Sequence, residues 1–292
     1  MYPTRRLIAS YENGNYSVKL YSDGTKIKET DEDSFFAAFP DSIDLKITDF
    51  CDTGCPMCHE MSSPDGKAGN LDEPFLSTLR AGTELAIGGG NPLSHPSVVP
   101  FLWRMKRQGV ICNLTVNAVH LKRERELVSE LIGAGLIHGL GISLSRYDCE
   151  TVNFARGYPN AVLHLINGVF EDYEKIADLG LKVLLLGYKR FGRGEDFFSS
   201  AVEDNMKRTR ELLPTILDRF AVISFDNLAL SQLDVRGMIG DEEYERMFMG
   251  EDGDASMYID LVKREIAKSS TSKERFPLGN DIIPIFDTVR NK

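Results

Sequence analysis

The chain has 292 residues and a formal net charge of −10, from 34 Lys and Arg against 44 Asp and Glu; 42% of it is hydrophobic, a mix that fills one large globular core or two ordinary ones. That acidity argues against a nucleic-acid partner, which needs clustered positive charge. No run of about 18 apolar residues offers a membrane span, no apolar segment near residue 1 reads as a signal peptide, and five cysteines are too few for a disulfide scaffold, so a cytoplasmic protein with reduced thiols is expected.

Residues 1–42 read as a small β extension. Asn13-Gly14 and Asp23-Gly24 are turn signals between short alternating runs. The stretch 28–42 carries an acidic patch at 29–33 and reads as a solvated linker. From Ile43 a strand–helix rhythm sets in. Residues 42–48 alternate apolar and polar side chains, a strand pattern. A second strand at 84–87 ends at Gly88-Gly-Gly-Asn-Pro92. Ser94 is a suitable cap for a helix through Arg107, which Gly109 closes. A third strand at 110–116 and a helix at 123–132 follow, then a fourth strand at 137–144.

Val162, Leu165, Ile166, Val169, Phe170, Tyr173, Ile176 and Ala177 lie on one apolar face of a long helix. A fifth strand at 181–186, a helix from Asp196 to near Pro214 and a sixth strand at 220–225 complete the series. Six units of about 31 residues match the βαβ unit and predict a parallel sheet. The tail 227–292 breaks the rhythm, with short strands at 257–262 and 265–267 and a last helix starting near Pro284. It is expected to pack on the core together with residues 1–42.

Three of the five cysteines fall within eight residues, in Phe50-Cys-Asp-Thr-Gly-Cys-Pro-Met-Cys-His-Glu60. The spacing C-x3-C-x2-C lets three thiolates of one loop grip one metal or one cluster. A structural zinc takes four closed ligands, and the ordinary iron–sulfur cluster takes four cysteines. Three cysteines therefore suggest a cluster with one iron left open. A zinc knob is the alternative. The loop directly follows a strand, at the edge where α/β folds place their chemistry.

This loop resembles that of the radical S-adenosylmethionine enzymes, whose hallmark is C-x3-C-x-aromatic-C around a 4Fe–4S cluster. Met57 stands where the family has an aromatic residue; it is apolar and adaptable. Gly89-Gly-Asn-Pro92 resembles the family's Gly-Gly-Glu-Pro motif, which binds the amino group of S-adenosylmethionine. Asn91 keeps an acceptor there but loses the charge. The resemblance covers residues 43–226. It implies an α/β fold, an open partial six-unit (β/α)6 barrel of the partial TIM barrel kind, with small β-rich extensions at both ends.

It also implies a site. Cys51, Cys55 and Cys58 would hold the cluster. Met57, Gly89, Gly90, Asn91, Asn117, Ser143, Ser145 and Lys189 would line the S-adenosylmethionine pocket, the polar ones at strand ends and Lys189 for the cofactor carboxylate. Each also has an ordinary reading as a turn or cap residue. Cys149 is a candidate hydrogen-atom donor, although most lone cysteines are small buried hydrophobes. Cys112 lies mid-strand. Those two are too few to hold a second cluster, so no auxiliary-cluster domain is expected.

The implied activity is that of an oxidoreductase-like radical enzyme. Reductive cleavage of S-adenosylmethionine gives a 5′-deoxyadenosyl radical, which takes a hydrogen atom from the substrate, and a flavodoxin or ferredoxin supplies the electron. The substrate is expected to be a peptide or protein side chain, because the extra β-strands offer an edge for strand addition. A nucleotide-like or other small molecule comes next. The non-enzymatic alternative is a zinc or iron–sulfur binding module.

Overall fold

The computed structural model describes residues 5–291. Strands β1 (Leu7–Asn13), β2 (Tyr16–Tyr21) and β3 (Lys26–Glu29) form an antiparallel meander. Its first turn is at Gly14, whose φ of 63° suits glycine. The predicted turns are both present, and the linker begins after Glu29 rather than at Lys28.

The second sheet carries the rest of the chain. It comprises β4 (Ser42–Thr48), β5 (Glu84–Gly89), β6 (Ile111–Asn117), β7 (Gly139–Ser143), β8 (Ala161–Ile166), β9 (Lys182–Leu186), β10 (Val222–Phe225), β11 (Ser256–Asp260), β12 (Glu265–Ala267) and β13 (Phe276–Pro277). The order is β10-β9-β8-β7-β6-β5-β4-β11-β12-β13. Every pair from β10 to β11 is parallel, and β12 and β13 are antiparallel additions. The C-terminal segment therefore does more than pack on the core: β11 extends its sheet beside β4.

One face of this sheet is apolar. Ile43, Leu45, Leu85, Leu114, Leu163 and Val183 are fully buried on it, each stabilising the fold by about 1.5–3 kcal/mol through leaving water. The alternating positions carry Asp44, Lys46, Ala86, Asn117, Ser143 and His164 on the other face. Hydrogen bonds show how that face is closed. Lys189 lies three residues past β9, yet its Nζ donates to Ser270 Oγ at 2.9 Å, between β12 and β13. Strands in a sheet stand about 4.8 Å apart, so across a flat sheet those strands would be tens of ångströms apart. The sheet curls back on itself, with its polar face inside.

The β2–β3 turn packs at the N-terminal edge of the curl. Asn160 Nδ2 donates to Ser22 O and Lys182 Nζ to Asp23 O, at 3.0 and 2.7 Å, and Lys26 pairs with Glu84. The last helix reaches the segment after β3: Arg290 bonds the Ala37 carbonyl and stacks on Phe36.

Three expectations need correction. Residues 161–166 form strand β8, not the start of a long helix. Leu163 and Leu165 face the apolar side while Val162, His164 and Ile166 face inward, so a segment apolar on both sides matches either period. Seven strand units therefore precede the tail, not six. The helix predicted from Ser94 begins at Val98, because Pro92–Ser94 form a 3-10 turn first; its stop at Gly109, with φ 79°, is as expected. The predicted helix at 123–132 is two, Ala118–Arg123 and Arg125–Gly133. Among the described residues no helix is long and apolar enough to cross a membrane.

Candidate metal and cofactor site

The cysteine loop leaves the C-terminal end of β4. Gly54 turns it, with φ 61°. All three thiols are free. Thr53 Oγ1 lies 3.0 Å from Cys51 Sγ and 3.4 Å from Cys55 Sγ, so two thiols share one hydroxyl. Asn117, at the end of β6, turns its Nδ2 toward Cys55 Sγ at 3.7 Å while its Oδ1 caps the following helix at Val119 N. Burial pushes the Cys51 thiol up, but hydrogen bonding with His120 and Thr53 outweighs it and brings the group down to about 7. The thiolate is the ligand form.

Sequence reading passed over the residues that hold this loop. His120 is fully buried and its Nε2 lies 2.8 Å from Asp52 Oδ1. Hydrogen bonds from His120 and Arg123 pull the Asp52 carboxyl down to about 2. Arg193 is the second clamp. Its Nε donates to Cys55 O at 3.1 Å, its Nη2 to Ser62 O at 3.0 Å, and its backbone NH to Cys58 O at 3.2 Å. Side chains at Gly192 and Gly194 would collide with the backbone of His59 and Lys189. The Phe-Gly-Arg-Gly run is thus a brace against the cysteine loop.

Lys46 is the third support, a buried cation with Asp49, Glu60 and Asp260 at 2.6, 2.7 and 3.2 Å. Tyr258 of β11 donates to Glu60 at 3.2 Å. The tail and the cysteine loop therefore share one buried ionic cluster.

The Gly-Gly-Asn turn lies beside the loop. Gly90 N donates to Thr48 O at 2.7 Å and Asn91 N to Phe50 O at 2.6 Å. A Cβ at Gly89 or Gly90 would strike the backbone at Thr48 or Phe50, so both glycines serve this close approach. Asn91 is buried, and its Oδ1 accepts from Leu93 N at 3.3 Å. Met57 borders a small cleft with His59, Ile166, Leu186 and Lys189. Ser143 pairs in register with Asn117 on the inner face, and Ser145 is exposed past the strand. Cys149 is exposed, at the start of the helix Cys149–Gly157. Cys112 is buried mid-strand and its thiol is pushed up to about 12 by burial, a packing residue.

Among the described residues no three His, Cys, Asp or Glu side chains converge on a point as a single metal ion requires. A 4Fe–4S cluster asks for something else, one thiolate on each of three separate irons. The loop fits that demand. Its thiols form no disulfide, one is poised near neutrality, and the buried Ser62 Oγ beside them has no hydrogen-bond partner.

No family model matches the chain. The PqqA peptide cyclase of Bradyrhizobium diazoefficiens is 34% identical over 128 residues, 42% of this chain and 33% of that protein, so the match spans a third of the relative's length. Among solved structures, Streptococcus suis SuiB bound to its precursor peptide SuiA aligns with a TM-score of 0.61 at 14% identity, over 88% of this chain and 67% of that one. SuiB bound to S-adenosylmethionine aligns at 0.59 and 13%, over 87% and 68%. At such identities the structural likeness speaks for the fold. The cysteine loop and the Gly-Gly-Asn-Pro turn stand at adjacent strand ends of that fold, and it is these residues that resemble the radical S-adenosylmethionine enzymes.

Proposed function

We propose that the chain is a radical S-adenosylmethionine enzyme that modifies a peptide. The observation that carries the reading is the braced loop of three free thiols at the C-terminal edge of the parallel strands. Cys51, Cys55 and Cys58 hold the 4Fe–4S cluster. Asn91 accepts from the ammonium of S-adenosylmethionine, Asn117, Ser143 and Ser145 take its hydroxyls and carboxylate, and Lys189 balances the carboxylate charge. Met57, Gly89 and Gly90 shape the pocket. Cluster and cofactor together supply a 5′-deoxyadenosyl radical able to take a hydrogen atom from an inert C–H bond. The chain's own residues orient the reactants and keep water away. Cys149 is the hydrogen-atom donor that this reading offers, and a flavodoxin or ferredoxin brings the electron.

The peptide assignment is supported by the names of the relatives, a peptide cyclase and a protein bound to a precursor peptide. The exposed Met61 and Phe191 beside the cysteine loop add an apolar rim that a chain could cover. The test is anaerobic reconstitution, an assay for 5′-deoxyadenosine, and mass spectrometry of short peptides encoded beside the gene. Iron and 5′-deoxyadenosine with a mass change in such a peptide are expected. Iron-loaded protein that never cleaves S-adenosylmethionine would reduce the chain to a binding module.

A further inference from the structure

Asp44 sits mid-strand on β4 and faces into the curl. Among the described residues it has no hydrogen-bond partner and no ion pair, and its side chain is exposed. An exposed side chain on the inward face of a curled sheet lines the space inside the curl. The neighbouring positions agree. Ala86, its register partner on β5, is small and half-buried, and a Cβ added at Gly88, two residues on, would meet nothing within 4 Å. Tyr258 closes the β11 side. Its carboxylate is therefore free to pair with a cationic group of a ligand that enters that space.

The charges facing that space are unequal. Lys189, Asp226, Asp252 and Glu60 are the charged groups that act on Asp44. Glu60 is held by Lys46, and Lys189 is the one cation among them. Asp226 caps the helix Asn227–Leu233, and Asp252 accepts from Asn227. Desolvation inside the curl, Asp252, Asp226 and Glu60 push the Asp44 carboxyl up against the pull of Lys189, to about 6.

We propose that Asp44 is the anionic wall of a substrate subsite inside the curl, one that takes an ammonium or guanidinium group. This deepens the reading above and rests on it: the peptide would present a basic side chain there. S-adenosylmethionine also carries an ammonium, so the experiment separates the two sources.

The anaerobically reconstituted protein is saturated with S-adenosylhomocysteine and probed by saturation-transfer NMR. The probes are N-acetyl-lysine methylamide and N-acetyl-glutamine methylamide. Wild type should bind the lysine probe at least about tenfold tighter. Asp44→Asn, nearly isosteric, should bring the two probes within about twofold, and Asp44→Glu should keep the preference. Asp44→Glu also guards against a folding defect in the neutral variant. Equal binding of both probes by wild type overturns the proposal. So does a preference that survives in Asp44→Asn, or a loss confined to S-adenosylhomocysteine affinity, which would give Asp44 to the cofactor. The 5′-deoxyadenosine assay on the same samples keeps the two ideas apart. Cleavage without a cation preference sinks the subsite alone. The probes are also read on protein without the cluster, where a preference lost in Asp44→Asn supports the subsite even if cleavage fails.

Discussion

Two buried polar clusters in this molecule behave in opposite ways. Under the N-terminal meander, Asp41 is fully enclosed and fully partnered: Lys28 Nζ, Asn13 Nδ2 and Tyr16 OH each lie 2.7 Å from its carboxylate, and Tyr11 OH adds a bond at 3.1 Å. At the C-terminal edge of the sheet, the cysteine loop is just as firmly held by its backbone, through Arg193 and the Lys46 cluster. Its three thiols form no disulfide, and Cys51 and Cys55 share the hydroxyl of Thr53. A cluster that satisfies itself is architecture, because every buried polar group has been matched inside the protein. A cluster that fixes its backbone and leaves thiols open is built to receive something. The contrast separates structure from site without reference to any relative.

The hardest test of that contrast is to remove the open side. Replacing Cys51, Cys55 and Cys58 together by Ala should abolish iron binding, the charge-transfer absorption and all 5′-deoxyadenosine formation, while the circular dichroism spectrum stays that of wild type. The thiols form no disulfide, and their hydrogen bonds run to Thr53 within the loop, to Asn117 and to His120, so the fold should lose little. Retained iron in the triple variant would end the assignment.

Attacking the closed side should invert the outcome. Asp41→Ala leaves Lys28 as an uncompensated buried charge and should cost about 3–5 kcal/mol of stability, read from urea unfolding, with iron content per folded protein unchanged. The pH dependence follows from the same cluster. Burial alone would push the Asp41 carboxyl up, but the Lys28 ammonium and the bonds from Asn13 and Tyr16 outweigh it and hold it below the ordinary value. The folded group therefore stays ionised at pH values where the unfolded one takes up a proton. Its stabilisation is complete above the unfolded value of about 3.9 and is lost as pH falls through the folded value. The stability gap between wild type and Asp41→Asn should be constant from pH 7 to 5 and narrow below about 4. A gap that widens in acid would contradict the arrangement.

How much of this was legible beforehand depends on how far apart the partners lie in sequence. The cysteine spacing, the Gly-Gly-Asn turn and strands β4, β5 and β6 are local patterns, and local patterns can be read from the chain. The braces are not local. His120 meets Asp52 across 68 positions and Arg193 meets Cys55 across 138; strand order joins the first pair, since β6 and β4 flank β5, and the curl of the sheet joins the second. Nothing near Arg193 marks it, beyond glycines at 192 and 194 that allow a close approach. The misread strand β8 failed for a different reason. His164 lies in a run that is apolar on both faces, and the alternation that would identify a strand is masked when the inward face is also hydrophobic. His164 packs against Gly141, where a Cβ would strike its ring, and burial lowers it to about 4.

Asn91 sharpens the comparison because it belongs to both sides. Its Oδ1 already caps the 3-10 turn through a long bond to Leu93 N, leaving capacity for a second donor. Asn91→Ala should weaken S-adenosylmethionine binding by about 1.5–3 kcal/mol, the value of a hydrogen bond to a charged group, and cost about 1 kcal/mol of stability through the lost cap. Asn91→Asp keeps the cap and restores a negative charge, so it should bind the cofactor more tightly than wild type. Calorimetry on reconstituted protein reads both. If the two variants change stability but neither changes affinity, Asn91 belongs with the closed clusters.

Cys149 gives the smallest expected effect on the fold and the finest test of the site. The thiol is exposed on the first residue of its helix, after Asp148 has capped Thr151 N at 3.1 Å. Removing it empties no core space, and Cys149→Ala should shift stability by less than about 0.5 kcal/mol. Its place in the chain is what commends it. It follows β7 by six residues, at the strand end where Ser143 pairs with Asn117, and Asn117 reaches Cys55. Cleavage of S-adenosylmethionine and quenching of a substrate radical are separate steps, so a lost hydrogen donor uncouples them. Cys149→Ala should release 5′-deoxyadenosine at the wild-type rate while forming less finished product per equivalent released. The ratio of the two, measured by chromatography on single samples, is independent of how much protein is active. A ratio equal to that of wild type would take Cys149 out of the mechanism and leave it an exposed side chain at a helix start.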